Sequence, residues 1–409
     1  MQRPVLLKTA LVVSSLVLGC SQSGGKEYVG PAPGQHFSQA VSTDGFVYVS
    51  GVIASDITGD IAAQTTEIFE NLRGVLKQAG SSIEHIVNAT VTLEQAGDLA
   101  AMDAVYGAQF KGDPPARSTY IGNMVRPGAL LEIAVTAVPN GAPRRAVMPP
   151  GWMKPASPYS YAMQSGDTLF LSGMVSTDMK DLTRVRGDTP TQVRRAMDNA
   201  VELLKAAGMT LDDTVSSRVV ITHRVAEFAL MNETYGPYWN VTDRTLSGPG
   251  VPGRPGRATV GLDNLPGFDF QVTFIAVRGS APREVVVAPN ADGTPGQQGL
   301  FFPSGITVGN RMWTSGIIGG TAENIGDIEA ETKENLTRLE RFLKAGGFGY
   351  TDVVAVEVWL TNVRHYEAVD EILRETFPTN PPVRKVVGVD QLGGYQNRSL
   401  TEIAFIAAR

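Results

Sequence analysis

Three apolar stretches, each interrupted by a Ser-Gly pair, recur along the chain. They span Phe46 to Ile53, Thr168 to Val175 and Arg311 to Ile318. Their bulky and β-branched residues predict strands that break at the glycine. Because the same signals return at intervals the length of a domain, the repeating unit is a whole domain and not one turn of a solenoid.

A helix is predicted after each of these strands. In the first copy, one apolar stripe at helical spacing is formed by Ile68, Leu72, Val75, Leu76 and Ala79. Each predicted helix closes with a Leu-Lys pair followed by a glycine, a common C-terminal signal, at Gly80, Gly208 and Gly346. A further strand, a second helix, a loop with proline and arginine, and a final strand complete each copy. The final strands are Leu130 to Val138, Asp269 to Val277 and Leu400 to Ala408.

The pattern predicts three α+β domains, each a mixed sheet with two helices on one face. We place them at residues 34–140, 141–280 and 281–409. The sheet face that carries no helices needs an apolar cover, and another copy of the same sheet can supply it. The three copies are therefore expected to close around a pseudo-threefold axis, so that one chain forms a monomeric pseudo-trimer.

The N-terminus carries the signals of a targeting segment. A basic start and the short apolar run Ala10 to Leu18 lead into Leu16-Val17-Leu18-Gly19-Cys20, which resembles a bacterial lipobox. We interpret residues 1–19 as a lipoprotein signal peptide, Cys20 as the lipidated new N-terminus and residues 20–33 as a flexible tether. An uncleaved membrane anchor and a plain secretory signal are the alternatives. The protein is expected to be exported and membrane-anchored, at the periplasmic face of the outer membrane if the organism has two membranes.

The amino-acid composition argues against several classes of function and site. The 409 residues are 43% hydrophobic, and 35 Lys+Arg against 41 Asp+Glu give a net charge of −6, which argues against binding nucleic acid through a broad basic face. One cysteine excludes an intrachain disulfide and a multi-cysteine metal centre. The histidines show no paired metal spacing; they are His36, His85, His223 and His365. No metal or other cofactor is expected.

The loop and last strand of the copies resemble the signature of the Rid family, the YjgF-like reactive intermediate deaminases. The first copy has Pro115-Ala116-Arg117-Ser118 and then Glu132, and the third has Pro382-Val383-Arg384-Lys385 and then Glu402. The second has Pro255-Gly256-Arg257-Ala258, with Gln271 where the acid is expected. The resemblance implies chorismate-mutase-like domains with ligand clefts between adjacent copies. It also implies hydrolysis of enamines and imines to keto acids and ammonia.

The same resemblance suggests roles for individual residues. The arginine would bind the substrate carboxylate, which makes Arg117, Arg257 and Arg384 binding candidates; the serines Ser50, Ser172 and Ser315 would line the clefts. The family's cleft tyrosine stands thirteen residues before that serine, a position occupied here by Phe37, Tyr159 and Phe302. The last-strand glutamate would position water, so the catalytic candidates are Glu132, Glu402 and Tyr159.

Elementary chemistry agrees with these roles. A guanidinium binds a carboxylate through two charge-assisted hydrogen bonds, although a structural salt bridge is the alternative for each arginine. A glutamate within an apolar strand must find a partner or shift its pKa upward, which suits an acid–base catalyst near neutral pH. Gln271 cannot exchange a proton, so the second copy's last strand is expected to be catalytically silent.

Two functions from different classes are therefore predicted. The first is a lipid-anchored enamine/imine deaminase acting on small carboxylate-bearing substrates. The second is a non-catalytic carboxylate-binding or scaffold protein, favoured by Phe37, Phe302 and Gln271. Ribonuclease activity, reported for some members of the resembled family, is less compatible with the acidic balance. Because there is one cleft tyrosine, we expect a single complete site combining Tyr159 with Glu132 or Glu402.

Overall fold

The computed structural model describes residues 25–32, 34–262, 265 and 267–409. The predicted signal peptide and Cys20 lie outside these residues. Within them, the chain forms three sheets, each with two α-helices. No helix in the described part of the chain is both long and apolar enough to cross a membrane.

The first copy contains six strands and two helices. They are β1 (Glu27–Val29), β2 (Ala40–Thr43), β3 (Phe46–Val52), α1 (Ile61–Gln78), β4 (Ile86–Leu93), α2 (Leu99–Gly107), β5 (Ala116–Ile121) and β6 (Leu131–Ala137). The sheet order is β1-β2-β3-β6-β4-β5, with β4 and β5 parallel and the other pairs antiparallel. Strand β1 lies inside the tether predicted over residues 20–33. The tether prediction is wrong for this segment, because β1 pairs along β2 and becomes the edge of the sheet.

The second copy repeats this order. Its elements are β7 (Arg145–Val147), β8 (Ala162–Ser165), β9 (Thr168–Leu171), β10 (Met174–Val175), α3 (Thr189–Ala206), β11 (Thr214–Ile221), α4 (Arg224–Tyr235), β12 (Gly248–Pro249), β13 (Gly256–Gly261) and β14 (Phe270–Val277). The sheet order is β7-β8-β9-β14-β11-β13, and β10 also pairs with β14. The short strand β12 joins the sheet of the third copy instead.

The third copy completes the set. Its elements are β15 (Arg283–Val286), β16 (Gly305–Val308), β17 (Arg311–Thr314), β18 (Ile317–Ile318), α5 (Ile328–Ala345), β19 (Val353–Leu360), α6 (Tyr366–Thr376), β20 (Val383–Gly388) and β21 (Thr401–Ala408). The order is β15-β16-β17-β21-β19-β20, with β12 beyond β15 and β18 beside β21. The prediction of three mixed-sheet domains is confirmed.

The long helices α1, α3 and α5 start alike. Each has an aspartate N-cap whose carboxylate accepts a hydrogen bond from a backbone N–H in the first turn, at Asp60, Asp188 and Asp327. Such a cap satisfies a donor that the helix itself cannot pair, and typically contributes about 1 kcal/mol. The capped helices pack their apolar faces on their own sheets and form one core per copy.

The opposite sheet faces pack against one another. Two further apolar clusters take residues from all three copies. One contains Tyr48, Phe170 and Trp313, which each stand two residues before the Ser-Gly serine. The other contains Tyr120, Val260 and Val387, which each stand three residues after the motif arginine. Equivalent positions meeting in one cluster confirm the intrachain pseudo-trimer.

Candidate functional site

The three motif arginines mark the boundaries between copies. Each is the second residue of β5, β13 or β20, and its backbone N–H donates a hydrogen bond to the Ser-Gly serine of the next copy. The pairs and N···Oγ distances are Arg117–Ser172 at 2.8 Å, Arg257–Ser315 at 3.1 Å and Arg384–Ser50 at 2.8 Å. The last pair returns to the first copy, so the ring is closed. We name the resulting clefts 1/2, 2/3 and 3/1 after the copies that form them.

The three serine hydroxyls donate their hydrogen bonds within the protein and not to the cleft. Each hydroxyl donates to a backbone carbonyl of its own copy, Ser38 O at 2.7 Å, Ser160 O at 2.6 Å or Pro303 O at 2.6 Å. Each hydroxyl oxygen also accepts a bond from the arginine N–H, so only one of its lone pairs remains available to a ligand. The serines thus tie the copies together at the floor of each cleft.

The last-strand acid or amide enters each cleft from the same copy as the serine. Its side chain packs on the glycine of the Ser-Gly pair, where an added Cβ would overlap it. The sets are Gly173 with Gln271 in cleft 1/2, Gly316 with Glu402 in cleft 2/3, and Gly51 with Glu132 in cleft 3/1. Each also reaches the backbone two residues beyond the arginine, at Thr119, Thr259 and Val386. The glycines therefore make room for the functional side chain.

Cleft 3/1 holds an open cavity of about 230 Å³. Arg384, Glu132 and the ring of Phe37 line it, and that ring lies 5.3 Å from the guanidinium carbon. Tyr366, at the start of α6, also lines the cavity, beside Arg384. Sequence reasoning missed Tyr366, which supplies a phenol where the family position is occupied by Phe37.

Cleft 1/2 contains the predicted cleft tyrosine. The ring of Tyr159 lies 5.7 Å from the guanidinium carbon of Arg117, in the cleft that carries Gln271. The expectation that Tyr159 would share a site with Glu132 or Glu402 is therefore wrong. Each arginine meets the serine and last strand of the following copy, and for Arg117 that strand is the one without an acid.

Cleft 2/3 surrounds its arginine with aromatic rings. Arg257 is 0% exposed, and its guanidinium carbon lies 5.4 Å from the ring centre of Phe302. Glu402, 2% exposed, comes from the same copy as Phe302. This cleft therefore joins an arginine and a glutamate without a tyrosine at the family position.

Two of the arginines have an aspartate partner that sequence reasoning also missed. Asp103 on α2 accepts a 2.6 Å bond from Arg117, and Asp370 on α6 pairs in the same way with Arg384. In both copies the aspartate precedes the arginine by 14 residues. That repeated spacing was the available signal. The structural salt bridge considered as an alternative is thus present in clefts 1/2 and 3/1.

Both glutamates have perturbed titration. Burial raises the pKa of Glu132 to about 7, although Lys385 and the backbone N–H of Val386 act in the opposite direction. Burial likewise raises the pKa of Glu402 to about 7 against the lowering effect of Arg224, the Thr259 backbone and other cations. A carboxyl with such a pKa is present in both protonation states near neutral pH.

An ion cluster whose side chains are 12–15% exposed is coupled to these two glutamates. Glu357 on β19 accepts hydrogen bonds from Arg218 on β11 and Lys385 on β20, each at 2.5 Å. Burial alone would raise the pKa of Glu357, but the two cations hold it at about 2. Lys385 acts electrostatically on Glu132 and Arg218 on Glu402, so the cluster influences both acidic clefts.

The fold defines a class of α+β proteins in which clefts form between three equivalent domains. The family model described as Endoribonuclease L-PSP matches residues 29–139, 152–278 and 296–409. The chain belongs to this family, which includes the Rid, YjgF and RutC proteins. The resemblance noted from the sequence is confirmed.

Relatives match one copy at a time. Protein DfrA of Myxococcus xanthus is 37% identical over 110 residues, 25% of this chain and 84% of that protein. A RutC family protein of Pyrococcus abyssi is 33% identical over 113 residues, 26% of this chain and 89% of its own. A solved YjgF family structure from Neisseria meningitidis is 32% identical and covers 29% of this chain and 98% of its own, with a TM-score of 0.27.

Proposed function

We propose that the protein is an enamine/imine deaminase that hydrolyses small reactive imino acids to keto acids and ammonia. The supporting observation is that two clefts pair the motif arginine with a glutamate whose pKa is raised to about 7: Arg384 with Glu132, and Arg257 with Glu402. Family membership supports the same class of reaction.

The reaction can be written with one carboxyl and one water. The protonated glutamate donates its proton to the carbon of the enamine and yields an iminium. The resulting carboxylate then takes a proton from the water that attacks the iminium carbon. The reprotonated glutamate then donates its proton to the carbinolamine nitrogen and takes up the hydroxyl proton as the C–N bond breaks, which releases ammonia and the keto acid and restores the protonated glutamate. The arginine binds the substrate carboxylate throughout and holds the reacting carbon near the glutamate.

Specific observations favour the second candidate, a carboxylate-binding or scaffold protein. Gln271 cannot transfer a proton, and Asp103 and Asp370 already neutralise the arginines of clefts 1/2 and 3/1. A ligand carboxylate would have to compete with these aspartates.

The test is keto-acid release from imino acids generated in situ by an amino acid oxidase. We expect the wild type to accelerate release and the double variant Glu132→Gln, Glu402→Gln to lose at least about 100-fold of that acceleration. Equal rates for the two proteins would favour binding without turnover. The variant Gln271→Ala provides the control, because it alters the cleft that lacks an acid.

We also propose that the chain is lipid-anchored through Cys20 and faces the periplasm where the organism has two membranes. The lipobox-like Leu16-Val17-Leu18-Gly19-Cys20 supports this. Mass spectrometry of the mature N-terminus should find a diacylglyceryl group on Cys20, and Cys20→Ser should move the protein from the membrane to the soluble fraction. An unmodified Cys20 in membrane preparations would contradict the anchor.

A further inference from the structure

The helix residue that faces the motif arginine differs between copies. In the first copy, Asp103 precedes by three residues the Tyr106 ring that lies 4.8 Å from the guanidinium carbon of Arg117. In the second copy, the residue three before the corresponding Tyr235, 5.0 Å from Arg257, is Asn232. An amide therefore stands where a carboxylate neutralises the arginine of the other clefts.

Within the described part of the chain, Arg257 lies beside the Tyr235 phenol but forms no ion pair with a carboxylate. Its Nε, Nη1 and Nη2 are all buried and make no hydrogen bond of regular geometry. The Asn232 amide donates to the carbonyl of Phe228 at 2.7 Å, and its own Oδ1 is likewise unpaired. Burial lowers the pKa of Arg257 to about 10, so the side chain stays cationic near neutral pH. Glu402 of the same cleft acts on Arg257 electrostatically but does not pair with it directly. A buried cation without a directly paired anion is unfavourable, and a bound carboxylate would relieve that cost.

The surroundings of this cation are aromatic. Four ring centres lie 5.0–6.0 Å from the guanidinium carbon, those of Phe228, Tyr235, Phe301 and Phe302. Phe228 of α4 and Phe301 of the loop before β16 meet edge to face at 5.6 Å. Because Arg257 is fully covered, a ligand can reach it only by displacing some of these rings. A ligand with an apolar ring of its own would replace the lost contacts, whereas a small polar one would not.

The surface near this cleft is apolar as well. Val225 and Leu230 on α4 are 55% and 44% exposed, and Leu300, beside Phe301, is 63% exposed. These large side chains lie on the two segments that supply the cleft's phenylalanines. The exposed surface beside the cleft is therefore apolar, whereas the buried side chain within the cleft is a cation.

We infer that cleft 2/3 is a receptor for aromatic monocarboxylates, set apart from the other clefts by Asn232 and by its phenylalanines. This deepens the proposed function by naming a ligand class for one of its clefts, but binding itself requires no turnover. Clefts 1/2 and 3/1 keep their arginines paired to Asp103 and Asp370, and so bind carboxylates more weakly.

Calorimetric titration of the full chain tests the inference with four probes. Phenylacetate should bind about tenfold or more tightly than acetate, because the ring replaces displaced apolar contacts. It should also bind about tenfold or more tightly than phenylacetamide, which has the same shape without the charge. Phenylpyruvate, a keto-acid product of the proposed reaction, should compete with phenylacetate. Equal affinity for phenylacetate and acetate, or no measurable binding, would overturn the inference and leave Arg257 as a structural cation held by aromatic rings.

Substitutions locate the binding. Asn232→Asp supplies the missing counter-ion and should weaken phenylacetate binding at least about tenfold, whereas Asn240→Asp, the same change at an exposed position of the same copy, should leave that affinity within twofold. Phe301→Ala, at a partly exposed loop position, gives a second test if Asn232→Asp does not fold, and it should also weaken phenylacetate binding. Unchanged affinity in these cleft 2/3 variants would place the ligand elsewhere.

The outcome is separable from that of the proposed function. Phenylacetate binding that depends on Asn232 without keto-acid release would support the receptor and reject the deaminase. Keto-acid release without preference for the aromatic probe would do the reverse.

Discussion

The backbone N–H of Arg384 donates a 2.8 Å hydrogen bond to the hydroxyl of Ser50, 334 positions earlier in the sequence. This bond joins the third copy to the first and has no linker beside it. The other two contacts of this kind lie between copies that also follow one another along the chain.

Ser50→Ala should weaken this closure. The variant leaves the buried N–H of Arg384 without an acceptor, and we expect the free energy of unfolding to fall by about 1–3 kcal/mol. Chemical denaturation monitored by circular dichroism measures the change. Ser280→Ala, at an exposed position, is the control and should change stability by less than about 0.5 kcal/mol. A loss for Ser50→Ala as small as the control's would show that the contact does not contribute to closure.

Glu402→Gln should make stability less sensitive to pH. The folded pKa of about 7 exceeds the ordinary value of 4.5, so between these values the unfolded chain releases a proton that the folded protein retains. Stability from this group is therefore full below pH 4.5 and lost as pH rises toward 7, by about 3 kcal/mol. Unfolding free energies at pH 5 and pH 8 should differ less in Glu402→Gln than in the wild type. Glu375→Gln, exposed on α6, should behave like the wild type.

Gly51→Ala should impair the proposed reaction in cleft 3/1. The new methyl group would overlap the carboxyl end of Glu132. The carboxyl group can rotate away, but it then no longer lies where the proposed mechanism needs it. We expect keto-acid release through this cleft to fall about 10- to 100-fold, measured in the Glu402→Gln background so that cleft 2/3 does not contribute. Gly173→Ala in the same background displaces only Gln271 and should leave the rate unchanged. Equal rates for the two variants would remove Glu132 from the mechanism.

Glu357→Gln should act on both acidic clefts from a distance. Arg218 and Lys385 would lose their counter-ion, and we expect unfolding free energy to fall by about 3–5 kcal/mol. The uncompensated cations favour the ionised forms of Glu132 and Glu402, so their pKa values should fall. The pH profile of keto-acid release should therefore move to lower pH. Glu334→Gln, which breaks a surface pair with Arg338, should move neither quantity appreciably; a profile unmoved by Glu357→Gln would show that the cluster is only structural.

Much of the fold could be predicted because the same signals occur three times. A single Ser-Gly strand such as Phe46 to Ile53 is ambiguous alone, but its return at Thr168 and Arg311 predicts a domain repeat. The last-strand glutamates could also be predicted, because an ionisable residue in an apolar strand must find a partner or shift its pKa.

The pairing of the clefts could not be predicted. Whether Arg117 meets the second or the third copy depends on the direction in which the copies follow one another around the axis, and the strand order is the same for both directions. Tyr159 was for this reason assigned to an acidic cleft. The aspartate partners of the arginines were not predicted, because a helix residue such as Asp103 has the pattern of an ordinary solvent-exposed position until the neighbouring arginine is located.

The ion cluster of Glu357 has a consequence for how such a protein can arise. Thr90 pairs across its sheet with Ser118, as Arg218 does with Ala258 and Glu357 with Lys385, so Thr90, Arg218 and Glu357 are equivalent positions. In a ring of three identical chains, whatever occupies such a position occupies it three times, and three second copies would bring three arginines together. Fusion into one polypeptide removes that constraint. A single glutamate can then lie between two cationic side chains, and each copy contributes residues that neither of the others can replace.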